Sequence, residues 1–149
     1  AQAVGQLLRL DDAGIGYTTF YVLGMGGKGA GRISGEATAR MFNSVHPQRI
    51  TTTGMTIFPR TPLADMVQRG EFTEAPEREK MEELLVFLQN LAIDTVYDGI
   101  HYLNPLNYRF ANRDTETKQR VLADIADILQ SHTDAELDLM VSRHLMHSL

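Results

Sequence analysis

Apolar residues recur every three or four positions in several parts of the chain, which is the spacing of amphipathic helices. The most regular pattern predicts a helix from about Pro76 to Leu91, and a second pattern predicts a helix over 115–131. The apolar positions are Met81, Leu84, Leu85, Leu88 and Leu91 in the first helix and Val121, Leu122, Ile125, Ile128 and Leu129 in the second. The residues of the first helix that are predicted to face water are Glu77, Glu79, Lys80 and Glu82.

Capping residues and helix breakers locate three further helices, and residue spacing predicts a fourth at the N-terminus. Ser34 is predicted to cap a helix that runs to about His46. Thr61 is predicted to cap a short helix with proline at its first position, and Gly70 ends it. The sequence "TDAE" at 133–136 is a capping box that opens a last helix, predicted to reach the C-terminus. An N-terminal helix is predicted from the spacing of Val4, Leu7, Leu8 and Ile15.

Three segments rich in β-branched and aromatic residues are predicted to be strands. They are "YTTFYVLG" (17–24), "RITTTGMTIF" (49–58) and "DTVYDGIHYL" (94–103). Asp98 and Gly99 interrupt the third segment, and the residues after it, 104–114, are predicted to form a long loop.

Strands that alternate with helices predict an α/β fold with a mainly parallel sheet. Three strands are too few to close a barrel. The chain is therefore predicted to be a small open sheet or a piece of a larger barrel. We expect one domain over 1–149, with βα repeats over 1–131 and a C-terminal helix over 132–149.

Composition and charge narrow the class of protein. The 149 residues are 43% hydrophobic and 22% charged, with no run of eighteen apolar residues and no pattern typical of a secretory signal. A net charge of −5 argues against nonspecific binding of nucleic acid. The chain has no cysteine, so it forms no disulfide and supplies no thiolate ligand to zinc or iron. We expect a cytoplasmic protein with no membrane or nucleic-acid partner.

The densest group of glycines follows the first strand, in "YVLGMGGKGAGRIS" (21–34). A Walker A loop fails here, because Val22 and Gly29 stand where that motif needs a glycine and a Ser or Thr. A dinucleotide fingerprint needs its helix to begin within the glycines, whereas the predicted cap is Ser34. The alternative is a flexible turn from strand to helix with a solvated Lys28.

The carboxyl ends of parallel strands lie at one edge of a sheet, where ligands of α/β proteins bind. The loops "GMGGKGAG", "PRTP" and "HYLNPLNYR" should therefore converge. His101 and Asn104 are candidates for substrate contact in the third loop. His144 and His147 lie one helical turn apart, as metal ligands can, but no carboxylate accompanies them, so no metal site is predicted.

Three segments in order resemble the C-terminal half of a radical S-adenosylmethionine (radical SAM) enzyme. They are "LLRLDDAGIGYTTFYVLGMGGKG", "RITTTGMTIFPRTPLADMVQRGEF" and "VYDGIHYLNPLNYRFANRDTETK". Together they resemble the helix, the "AGI" turn and the following strands of an iron–sulfur oxidoreductase subgroup. The resemblance covers about residues 5–130. It implies a three-stranded fragment of a partial TIM-like (β/α)6 barrel with helices on its outer face.

The resemblance also implies cofactors that this chain cannot hold alone. In that family a [4Fe–4S] cluster sits on a Cys-x3-Cys-x2-Cys loop after the first barrel strand and cleaves S-adenosylmethionine. Because this chain lacks cysteine and begins without a methionine or a helix cap, we expect it to be a C-terminal part that is inactive by itself. Its partner would be the N-terminal half of the same polypeptide, and the exposed strand edge would allow self-association. The resemblance assigns no substrate and no catalytic residue to this chain.

One wall of the S-adenosylmethionine site carries over by resemblance. The end of the first strand would pack against adenosine, and the end of the second would offer adenine an apolar side and backbone groups. The corresponding residues are Val22, Gly24, Gly26, Gly27, Met55, Ile57 and Phe58. Arg60 stands where the family often has glycine. The alternative hypothesis, from another class, is a complete noncatalytic α/β module that binds a nucleotide or a protein through its glycine-rich loop.

Overall fold

The structure is a computed structural model that describes residues 2–141. Ten elements follow one another along this part of the chain. They are α1 (Gln2–Asp12), β1 (Thr18–Leu23), α2 (Gly31–Phe42), β2 (Arg49–Gly54), α3 (Pro62–Gln68), α4 (Glu77–Asn90), β3 (Val96–Asp98), β4 (Arg109–Ala111), α5 (Thr115–Ser131) and α6 (Asp134–Leu139).

The strands form one open sheet in the order β1-β2-β3-β4. The β1–β2 and β2–β3 pairs are parallel, and the β3–β4 pair is antiparallel. The prediction of an α/β fold with a mainly parallel sheet is therefore confirmed. The predicted count of three strands is wrong, because the segment 104–114 contains β4 where a loop was expected.

A turn at the end of β3 explains this error. Asp98 Oδ1 accepts a hydrogen bond from the backbone N–H of Ile100, so the chain leaves the sheet after Asp98 instead of continuing to residue 103. It returns as an antiparallel strand in which Asp98 pairs with Arg109. The pattern of three alternating residues in β4 is too short to predict a strand.

The other predicted bounds were mostly close. β2 ends at Gly54 instead of 58, since the pairing with β1 ends there. Helix α3 is capped by Thr61 as predicted, α5 covers 115–131, and α6 opens with the predicted capping box at Thr133 and Glu136. His144 and His147, and the predicted end of the last helix, lie outside the described residues.

The crossover helices α2 and α4 pack on one face of the sheet. The core combines one face of each strand with the buried sides of α2, α4 and α5, and α1 packs at its margin through Val4 and Leu7. The largest members of this core are Tyr21, Phe42, Ile50, Phe87, Leu88, Leu91, Tyr97, Phe110 and Ile125. Strands β1, β2 and β3 follow one another without a reversal of order, so helices that connect them by right-handed crossovers all lie on the same side.

Helix α2 begins at Gly31, and the prediction that Ser34 caps it is wrong. Its N-cap residue is Ala30, which cannot cap with its side chain. Instead, the carboxylate of Glu79 in α4 accepts hydrogen bonds from the backbone N–H groups of Gly29 and Gly31, at 2.9 and 2.8 Å. A negative charge at a helix N-terminus is favourable, and this one comes from a distant part of the chain.

The inner side of α4 is more polar than predicted. Glu77 and Lys80 were expected to face water, but both are buried, as is Glu83. Lys80 and Glu83 lie on the same helical stripe as Phe87 and Leu91, at intervals of three or four residues. Their burial follows from the partners that the glycine-rich loop and β2 provide.

Two sequence expectations concern surfaces of the fold. The outer edge of β1 has no neighbouring strand among the described residues, which is the edge where self-association was expected and stays a prediction. Within residues 2–141, the helices are too short or too polar to cross a lipid bilayer.

The close contact between α2 and α4 requires glycine at position 35. A Cβ there would lie 2.6 Å from the carbonyl oxygen of Glu83 and 3.2 Å from the backbone nitrogen of Phe87. We expect Gly35→Ala to lower the free energy of unfolding by about 2–3 kcal/mol, because two backbones must separate. Urea denaturation followed by circular dichroism measures this change.

Gly5→Ala is the matched control, since Gly5 is also helical and a Cβ there meets nothing within 4 Å. It should stabilise the protein by about 0.5–1 kcal/mol. Equal effects of the two substitutions would contradict the role of Gly35 in the contact between α2 and α4.

Candidate functional site

The glycine-rich loop after β1 is bound to α4 by two carboxylates. Besides the two bonds to Glu79, Glu83 accepts a hydrogen bond from the backbone N–H of Gly24 at 2.9 Å and another from the hydroxyl of Tyr21. Burial raises the pKa of the Glu83 carboxyl, although these bonds and the charge of Lys80 oppose the rise. The loop therefore approaches its own helix closely.

Lys80 joins this loop to the end of β2. Its ammonium group is buried and donates to Glu74 at 2.7 Å, to Glu77 at 3.1 Å and to the carbonyl oxygen of Met55 at 3.4 Å. Its alkyl chain covers Gly24, where a Cβ would lie 2.9 Å from Lys80 Cε. Gly24 has a φ of 85°, a conformation that favours glycine.

This arrangement decides how the glycine motif is interpreted. Because α2 begins at Gly31, the last glycine of the run, the objection that the helix starts too late for a dinucleotide fingerprint is wrong. A stronger objection replaces it. The N–H groups of Gly24, Gly29 and Gly31 already bind carboxylates, in the position where a phosphate would need them. Glu79 and Glu83 would also repel that phosphate.

The face of the sheet opposite the core is covered by none of the core helices. Its side chains, which we call the open face, are Thr18, Phe20, Val22, Arg49, Thr51, Thr53, Val96, Asp98, Arg109 and Ala111. Four of these residues form a row across the sheet, because Phe20 pairs with Thr51, Thr51 with Asp98, and Asp98 with Arg109. Phe20 is 70% exposed, which is unusual for an aromatic residue in a strand.

Asp98 is the buried centre of a charged group on the open face. Its Oδ2 lies 2.8 Å from Arg109 Nη2 and 3.7 Å from Arg49 Nη1, and its other oxygen accepts from Ile100. Burial alone would raise the pKa of the Asp98 carboxyl, but the bonds from Arg109 and Ile100 and the two positive charges hold it below its usual value. Both guanidinium groups stay about half exposed.

His101 lies at the carboxyl edge of the open face. Its Nδ1 accepts a hydrogen bond from the backbone N–H of Leu103 at 3.2 Å and lies 3.1 Å from the hydroxyl of Thr53. Because Nδ1 is an acceptor, the neutral ring carries its proton on Nε2. The ring also stacks on Tyr102, with centroids 4.5 Å apart. His101 is thus held in one orientation beside the end of β2.

Asn104 connects the ends of β2 and β3. Its Nδ2 donates to the carbonyl oxygens of Thr52 and Gly99, both at 2.8 Å, and its Oδ1 accepts from the N–H of Gly54 at 2.9 Å. Both amide hydrogens are used and the residue is buried. These bonds favour a structural role for Asn104, and its predicted contact with substrate stays a prediction.

The residues predicted to contact the cofactor lie at one edge but differ in accessibility. Val22 lies on the open face, Gly26 is exposed, and Ile57 and Phe58 are half-buried after β2. Gly24, Gly27 and Met55 are buried: Gly24 lies under Lys80, Gly27 packs on Phe72 and Thr73, and Met55 belongs to the buried hydrophobic residues.

Sequence reasoning missed the charged residues that bind the glycine-rich loop and those that lie together on the open face. Glu79 and Glu83 resemble any acidic residues of a surface helix, and Arg49, Asp98 and Arg109 are spread over 60 positions of the chain. The position of Lys80 and Glu83 on the apolar stripe of α4 is the signal that predicts their burial. For the open face, only strand register brings the three charges together.

Neither a metal centre nor a relative identifies this site. Within residues 2–141, no three His, Asp or Glu side chains lie close enough together to hold a metal ion. No protein-family model matches the chain, and comparisons with curated proteins and with solved structures find no significant match.

Removing Glu83 should destabilise the fold by breaking the contact between loop and helix. We expect Glu83→Ala to lower the free energy of unfolding by about 2–4 kcal/mol, because the Gly24 N–H and the Tyr21 hydroxyl lose their acceptor inside the protein. Glu82→Ala, an exposed neighbour on α4, should change it by less than about 0.5 kcal/mol. Equal losses in chemical denaturation would contradict this role of Glu83.

The Asp98 carboxylate should make stability depend on pH in a defined direction. Its pKa in the folded protein lies below the usual value of 3.8, so its contribution is present above that value and is lost as the pH falls through the lowered pKa. Asp98→Asn should therefore cost about 1–3 kcal/mol at neutral pH and progressively less in acid.

Thermal unfolding of both proteins between pH 7 and pH 2 measures this effect. Asp94→Asn is the control, because Asp94 pairs with Arg113 at the exposed surface. A difference between Asp98→Asn and the unaltered chain that stays constant over the whole range would contradict the assignment.

Proposed function

We propose that this chain forms one wall of a radical SAM barrel and binds the adenosine part of S-adenosylmethionine at the carboxyl edge of its sheet. The observation that supports this most is topological. Strands β1, β2 and β3 are parallel and in sequential order, with the helices of the core on one face only, as in a barrel wall; the antiparallel β4 departs from that arrangement. The open face would then look into the barrel.

The carboxyl edge has the chemistry that adenosine needs. Val22, Ile57 and Phe58 offer apolar surface, and Gly26 leaves the backbone accessible. The hydroxyl of Thr56 is buried at this edge and has no hydrogen-bond partner within residues 2–141. Buried polar atoms are nearly always paired, so this hydroxyl favours a bound polar group here.

The iron–sulfur cluster does not fit this chain. A [4Fe–4S] cluster needs thiolate ligands, and the sequence contains no cysteine. Its ligands would have to come from a cysteine-bearing segment that completes the barrel along the free edge of β1. In this proposal the chain binds and orients the nucleoside and excludes water from it, and it performs no redox step.

The alternative of a nucleotide-binding module has less support. A phosphate at the glycine-rich loop would have to displace Glu79 and Glu83 from the N–H groups that they bind. The sheet of the described residues also lacks the reversal of strand order at which doubly wound folds bind nucleotides.

Titration with 5′-deoxyadenosine, which carries no charged group, tests the proposed nucleoside site. We expect weak binding that shifts the amide NMR signals of Val22, Gly26 and Ile57. Val22→Gln should weaken it roughly tenfold by placing an amide on the apolar surface. Thr18→Gln, on the same face of β1 but at its other end, should leave it unchanged.

Two outcomes would contradict the proposed function. One is the absence of shifts at these amides at millimolar 5′-deoxyadenosine. The other is a reading frame upstream of Ala1 that encodes no Cys-x3-Cys-x2-Cys sequence.

A further inference from the structure

We propose that the open face binds an amphipathic organic anion, whose carboxylate or phosphate pairs with Arg49 and Arg109 and whose apolar part packs on Phe20 and Val22. If the chain is a wall of the barrel, such an anion would be the class of substrate, and this identification rests on the proposed function. The binding itself depends only on residues of this chain.

The charges on the open face do not balance. Two guanidinium groups share one carboxylate, and Asp98 uses its second oxygen on the backbone of Ile100. The other members of the open face are uncharged, so one positive charge remains there. A half-exposed positive charge attracts an anion, and guanidinium groups match carboxylate and phosphate geometry.

Arg49 has its donors available. Its guanidinium forms no hydrogen bond within residues 2–141, and its contact with Asp98 is an ion pair at 3.7 Å. Arginine carries five N–H donors, so Arg49 keeps a complete donor edge for a ligand. Arg109 holds Asp98 more closely, at 2.8 Å, and its remaining donors stay about half exposed. Asp98 thus positions both arginines without neutralising them.

The same row of residues supplies the apolar end of the site. Phe20 is the exposed aromatic residue of β1, and Val22 follows it on the same face. Thr51 lies between Phe20 and Asp98 in register, and its hydroxyl has no partner among the described residues. Neighbouring strands are about 4.8 Å apart, so the backbones of Phe20 and Asp98 lie about 10 Å apart.

The separation between Phe20 and Asp98 sets the length of the ligand. It carries an anionic group at one end and an apolar, preferably planar, group at the other, with a polar middle or a short alkyl chain that crosses Thr51. A nucleic acid does not fit, because a single phosphate position beside an apolar patch is not a track of positive charge. A wholly apolar partner does not fit either, since it would bury both guanidinium groups without an anion.

Titration with 4-phenylbutyrate, followed by amide NMR shifts, tests the site in the chain as it is. We expect the signals of Phe20, Thr51 and Asp98 to shift, and the neutral analogue 4-phenylbutanol to bind at least about fivefold more weakly. Arg49→Gln and Arg109→Gln should each weaken phenylbutyrate binding about fivefold, and added salt should weaken it further.

Matched variants separate the site from a general charge effect. Arg113→Gln removes an exposed arginine near the same end of the sheet and should leave binding unchanged. Phe20→Ala should weaken phenylbutyrate and phenylbutanol alike. If Arg109→Gln fails to fold, Arg49→Gln decides the question, because Arg49 makes only the longer ion pair. Equal binding of acid and alcohol, or equal losses in Arg49→Gln and Arg113→Gln, would overturn the proposal.

The two proposals fail in different ways. Arg49→Gln should not alter binding of 5′-deoxyadenosine, and Val22 contributes to both ligands. Phenylbutyrate binding without 5′-deoxyadenosine binding would overturn the nucleoside site and leave the anion site standing. The opposite result would overturn the anion site alone.

Discussion

The hydrogen bonds from Glu79 and Glu83 to the glycine-rich loop are the constraint on which the rest of the structure depends. They place the end of β1, the start of α2 and the middle of α4 at fixed positions relative to one another. Glycine is needed along this contact because the two backbones approach too closely for side chains, most clearly at Gly35. The carboxyl edge of the sheet takes its shape from this contact, and the candidate ligand residues lie along that edge.

The acidic residues on the inner side of α4 satisfy the backbone N–H groups of the glycine-rich loop. Backbone N–H groups in a loop need acceptors, and a carboxylate supplies two in one residue. Lys80 then offsets the negative charge that Glu74 and Glu77 bring to the end of β2. Because its N–H groups bind carboxylates of α4, the loop has few donors left for a ligand. Both proposed ligand sites therefore involve the neighbouring face of the sheet.

The open face of the sheet is covered by none of the core helices. Parallel sheets are usually covered on both sides. Here one side carries the core, and the other carries a buried carboxylate paired with two half-exposed arginines, the threonines of β2 and an exposed phenylalanine. A barrel interior would explain why the face is polar but still partly shielded. The nucleoside proposal concerns its carboxyl edge, and the anion proposal concerns its centre.

The residue pattern predicted the parts of the fold that depend on local signals. Helix α4, helix α5, the cap at Thr61 and the capping box at Thr133 were all predicted, because the periodicity and the capping residues lie within a few positions of one another. The start of α2 was wrong for the complementary reason. Its cap is Glu79, 48 residues after Gly31, and no local pattern could indicate it.

The sequence by itself determined the class of this protein: an α/β chain with parallel strands, no thiolate, and loops that meet at one edge. It determined these because composition and periodicity are properties of short segments. Only the tertiary structure decided that β4 exists, that the glycines serve an internal contact, and that Arg49, Asp98 and Arg109 lie together. Each of these depends on pairing between residues far apart in the chain, since strand register and helix packing set which side chains become neighbours.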